Sequence, residues 1–195
     1  MLFLSLLTSA AIGLSSLSVP PSFTADTACV VQKPKNMPAK GRPSPLDSLT
    51  FEVGGGQVKV CYGRPSLKGR HMLGGEAVPY GKLWRTGANE PTIFYTPVKL
   101  TIAGIAVPPG VYSLYTVPGE REWEVIVNRS TSQWGHENQY TEKVKAREVG
   151  RGKAPAERTE RPVETFTIRA EPSGKGATLL LEWEHARVRI PVQAG

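Results

Sequence analysis

Between Lys59 and Arg85 six cations, Lys59, Arg64, Lys68, Arg70, Lys82 and Arg85, stand against a single acid, Glu76. Guanidinium forks match carboxylate, phosphate and sulfate groups bidentately, so Arg64, Arg70 and Arg85 form a candidate anion site if their loops share one end of the domain. Lys68 adds a point charge, Thr86 and Asn89 add neutral hydrogen bonds, and Tyr80 or Trp84 offers a stacking face for a sugar ring. Glu90 follows directly as a carboxylate that could brace the loop or act as an acid. The same residues also have a structural explanation. Loop arginines in β domains often bind carbonyls at strand ends, and large aromatics such as Trp84 are more often core than ligand contacts.

Three functions stay open on this chemistry. The leading expectation is non-catalytic binding of an anionic small molecule or cell-envelope glycan at the Arg-rich loops. The second is a hydrolase or metal-dependent enzyme at the same cluster, drawing on Glu90 and His71. The third is a structural envelope domain without a small-molecule site. The balance lies against an enzyme, and no catalytic residue is assigned. His71, His136 and His185 are far apart and lack the His-x-His or His-Glu-x-x-His spacing of common metal sites, so neither metal nor cofactor is expected. Ser66 and Ser113 have no nucleophile elbow, and Ser66 and Lys68 are two apart instead of the three of a Ser-x-x-Lys pair.

These loops need a rigid scaffold, and the flanking sequence supplies one. Residues 49–53 and 58–62 alternate apolar and polar around Gly54, Gly55 and Gly56, the pattern of a β-hairpin. Short β-rich runs return at 92–95, 98–102, 105–107, 111–117 and 123–127, with turns at Gly104, Pro108-Pro109-Gly110 and Pro118-Gly119. Residues 128–161 break the pattern: 140–152 read as an exposed loop or short helix, with Val144 and Val149 as candidates for burial, and 154–161 as a polar linker. Strands resume at 164–169, 177–183 and 186–192, the last two joined by a tight turn at Glu184-His185. Turns at about this spacing predict one all-β domain over residues 46–193, an antiparallel sandwich or barrel with long charged loops and at most one short helix.

The chain has 195 residues and a net charge of +7, which suits one domain facing acidic partners. Nucleic acid is not expected, because the cations lie in loops without a zinc-finger spacing, an RNP-type motif or a long basic helix. Residues 2–17 are apolar or small and short for a membrane span, which predicts a signal peptide over 1–28 and no transmembrane span in the mature chain. Residues 29–45 read as a flexible lead-in. Export to the periplasm or beyond would let Cys29 and Cys61 pair; lipidation or removal of Cys29 are the alternatives. Oligomeric state is not legible.

The phrases at 64–70 (Arg-Pro-Ser-Leu-Lys-Gly-Arg), 80–90 (Tyr-Gly-Lys-Leu-Trp-Arg-Thr-Gly-Ala-Asn-Glu), 110–119 and 133–135 (Gln-Trp-Gly) resemble, in order and spacing, the bacterial domain-of-unknown-function family number 2911. The resemblance runs from about Leu46 to Val192. It implies one β-rich domain in an exported protein, and it brings no established activity and no catalytic residue.

Overall fold

The computed structural model describes Cys29 and residues 42–195. The expected signal peptide and most of the lead-in fall outside these described residues. Nine strands follow in chain order: β1 (Leu46–Val53), β2 (Gly56–Gly63), β3 (Thr92–Thr96), β4 (Leu100–Ile102), β5 (Ile105–Val107), β6 (Gly110–Val117), β7 (Glu122–Asn128), β8 (Glu148–Ser173) and β9 (Gly176–Ala194). They make one antiparallel sheet in the order β1-β2-β3-β6-β7-β8-β9-β4-β5. A four-residue helix, α1 (Glu142–Lys145), and a 3-10 turn at Glu137–Gln139 are the only helices among the described residues. The all-β expectation with at most one short helix is met.

β8 joins the two halves of the sheet. Residues from Glu148 to Pro155 pair with β7, and those from Ala156 onward pair with β9. The segment after β2 reaches across to β8: Leu67 N–H donates to Glu164 O (2.9 Å) and Phe166 N–H to Pro65 O (2.9 Å). Inside lies the main apolar core, to which every strand contributes, and a smaller cluster of Cys61, Ile93 and Tyr95 packs with Cys29 and Val111. Trp84 sits in the main core, stacked on Trp183 at 5.7 Å and edge-on to Phe166 and Trp123. Burial of these rings is the main apolar contribution at this end of the core.

Two features differ from the sequence reading. Residues 154–161 are not a linker but part of β8, with Ala154 fully buried. Glu184-His185 is not a turn between strands. β9 continues through it, because Glu184 takes a φ of +49° and the β8–β9 register shifts on either side of the Val163–Glu184 pair. Cys29 and Cys61 are joined in a disulfide, so the sulfur of Cys29 is already bonded. Among the described residues no helix is long and apolar enough to cross a membrane.

Candidate functional site

The arginines of the loop cluster are engaged one by one. Arg64 donates to Phe166 O (3.2 Å), Asp47 Oδ2 (3.1 Å) and Thr167 Oγ1 (3.0 Å), binding the end of β2 to β8. Arg70 donates to Leu67 O and Ser66 O, both at 2.9 Å, and so closes its own loop. Arg85 meets Glu137 at 2.9 Å. Lys68 takes a φ of +50°, and its backbone N–H donates to Glu164 Oε1. These bonds brace loops, and the three arginines are not gathered around one cleft.

The remaining residues of the 80–90 stretch divide similarly. Thr86 is fully buried and shares a hydrogen bond with Thr116 Oγ1 (3.0 Å). Asn89 donates to Ser44 O (3.1 Å). Glu90 is buried and accepts from Arg42 Nη1 at 2.6 Å, so its partner is a lead-in residue and not a loop arginine. Arg42 gave no sequence signal, because residues 29–45 have no periodicity that would mark a buried side chain.

Tyr80 behaves differently. It is the one large apolar side chain exposed among the described residues, at 42%. Its loop is nevertheless held, by Gly81 N–H to Pro118 O (2.8 Å) and by the paired bonds between Trp84 and Thr116. The ring lies on Gly74, where an added Cβ would come within 2.6 Å of it. Gly74 has φ +78°, so both its backbone angle and its lack of a side chain make room for the ring.

Tyr80 borders a cleft of about 510 Å3 whose polar groups come from distant parts of the chain: His71, Glu120, Glu157, Arg158, Glu184 and His185. Regular strand alternation would send Glu184 and His185 to opposite faces, and the positive φ at Glu184 lets both line the cleft. The Glu184 carboxylate accepts from the backbone N–H groups of Met72 and Leu73 and from His71 Nδ1. His185 Nδ1 donates to Thr159 O at 3.1 Å. Carboxylate and carbonyl oxygens only accept, so both imidazoles carry their proton on Nδ1 and leave Nε2 free as an acceptor when neutral. Burial first, and then the nearby Glu120 and Glu184 charges, raise the Tyr80 hydroxyl above its usual range, so it remains a protonated donor.

His71 and Tyr80 were visible in the sequence; Glu184, His185, Glu120 and Arg158 were not, because only the fold brings them there. Among the described residues no group of three His, Cys, Asp or Glu side chains is placed to hold a metal ion. The cleft instead combines a fixed aromatic face with acceptors and one guanidinium, which suits a hydroxyl-rich ring.

The family model described as "Protein of unknown function (DUF2911)" matches residues 44–192. No curated protein and no solved structure matches the chain.

Proposed function

Because the chain belongs to this family of unknown function, its activity has to come from its own clefts, and we propose that it is an exported, non-catalytic glycan-binding domain with its sugar site at Tyr80. The observation that carries the proposal is the exposed Tyr80 ring, fixed on Gly74 beside a cleft of hydrogen-bonding groups. A pyranose has one apolar face and a rim of hydroxyls. The ring would stack against that face, while Glu120, Glu184 and the two Nε2 atoms accept from the rim and Arg158 donates. Of the cleft's carboxylates Glu157 is already paired with Arg187 (3.5 Å) and Arg189 (3.0 Å), and Glu120 and Glu184 against Arg158 favour a neutral or amino-bearing glycan over an acidic one. Export is supported by the apolar run at residues 2–17 and by the Cys29–Cys61 bond.

The test is calorimetric titration with neutral, amino and uronic oligosaccharides, with Tyr80→Ala in parallel. Loss of a stacking ring should weaken binding by about tenfold or more, while the fold is kept and the melting temperature falls by no more than a few degrees, since the ring is 42% exposed. Binding that survives Tyr80→Ala, or a preference for uronic sugars, would overturn the assignment. Arg64, Arg70 and Arg85 are each engaged in bracing a loop, so Arg70→Ala should leave binding unchanged.

A further inference from the structure

A second cleft, of about 470 Å3, lies between the loop after β7 and the segment around α1. Arg129, Lys143 and Arg147 line it, along with the hydroxyls of Thr131 and Ser132, and no acidic residue does. Two nearby acids are paired elsewhere, Glu148 to Arg151 (2.8 Å) and Glu137 to Arg85 (2.9 Å), and Glu142 extends into solvent with Lys145 at 3.9 Å. Arg129 lies over the Tyr112 ring at 5.9 Å, a contact that orients the guanidinium without neutralising it.

The two walls are fixed to each other. Asn128, fully buried, donates through Nδ2 to Val144 O (2.8 Å) on one wall and accepts at Oδ1 from Ser130 N–H (2.7 Å) on the other. Arg129 N–H donates to Arg147 O at 3.0 Å. Ser113 Oγ and Gln133 Nε2 both donate to Ser130 O, at 2.8 and 3.0 Å, which locks the loop against β6. The network therefore fixes the backbone that carries three like charges around one concavity, where the potentials of their exposed side chains add.

We propose that this cleft binds a phosphate or sulfate group. A tetrahedral oxyanion offers up to two negative charges and several acceptor oxygens to three cations and two hydroxyl donors. A carboxylate, planar and singly charged, would leave more of the positive charge unmatched. The site is separate from the Tyr80 cleft and independent of the glycan assignment. The group can come free or on a lipid headgroup, and the experiment separates the two.

Backbone amide signals of the full disulfide-bonded protein are followed by NMR during titration with inorganic phosphate and inorganic sulfate, at ionic strength held constant with chloride. Vesicles containing phosphatidylglycerol form a parallel sedimentation arm. The expected result is a saturable shift of the amides at 129–133 and 143–147, at least about tenfold weaker in Arg129→Gln/Arg147→Gln. The vesicle arm alone showing this dependence would assign the group to a lipid. Lys143→Gln, at an exposed position, gives the same test should the double variant not fold. Lys145→Gln removes a neighbouring cation outside the cleft and should leave binding within about twofold. The proposal is overturned if neither arm shows saturable binding, or if Lys145→Gln weakens it as much as the cleft variants do.

Discussion

Replacing Arg42 with alanine should destabilise the protein far more than its place ahead of the first strand suggests. Arg42 and Glu90 are 3% and 4% exposed at their side chains and meet at 2.6 Å. Removing the guanidinium strands a buried carboxylate, a loss of about 3–5 kcal/mol. For a domain of this size each kcal/mol moves the melting temperature by about 2–4 °C, so Arg42→Ala should melt about 6–20 °C lower. The pair itself is not a strong net stabiliser, since Arg42 Nη2 and Glu90 Oε2 are buried with no hydrogen-bond partner among the described residues. Arg42→Met/Glu90→Leu, apolar and of similar volume, should therefore recover most of the loss. Differential scanning calorimetry of wild type, both single variants and the double variant closes the cycle. Lys153→Ala, which removes an exposed ion pair to Glu122, should leave the curve unmoved. The reasoning fails if Arg42→Ala melts with wild type, or if the double variant falls as far as the single.

Asn128→Ala leaves Val144 O and Ser130 N–H without the Asn128 side chain that now binds both, and should cost about 3 kcal/mol; chemical denaturation gives the size, and faster hydrogen exchange at Ser130 locates it. Burial alone would raise the Glu182 pKa, but its hydrogen bonds from Arg187 and Arg169 outweigh that and hold it below the ordinary carboxylate value of 4.5. A carboxyl lowered on folding contributes stability above its unfolded pKa and loses it as pH falls through the folded one. Melting temperature should accordingly drop in the window below about pH 4.5, and Glu182→Gln should show a shallower drop; identical acid limbs would argue against this pair of bonds.

Strand segments with one face inward were legible, because alternation survives in the sequence: residues 49–53 and 58–62 form the β1–β2 hairpin as expected. The first half of β8 was not, since its stretch of Arg, Lys, Glu and Gly offers Ala154 as its one fully buried side chain. Pairing to β7, a tertiary effect, makes it a strand. Glu184-His185 looked like a turn because two polar residues interrupt an apolar run. The chain absorbs them by a local change of φ and keeps going. Of the sites, Tyr80 and His71 could be picked out by residue type. Their partners from β9, β8 and the β6–β7 turn lie far away in sequence. The same holds for Arg129, Lys143 and Arg147, scattered through a segment with no periodicity to group them.

The place of β4 in the sheet has a consequence for how the chain acquires its structure. Leu100, Thr101 and Ile102 pair with Ala194, Gln193 and Val192, so the hairpin of β4 and β5 has no outer partner until β9 has been made. Contacts between such distant segments form late and slowly, because the loop between them must first be closed. A chain emerging residue by residue therefore stays incomplete until β9 is available. If the proposed export passes the chain unfolded, that delay serves it, because the β4–β5 hairpin is tied into the sheet only through β9.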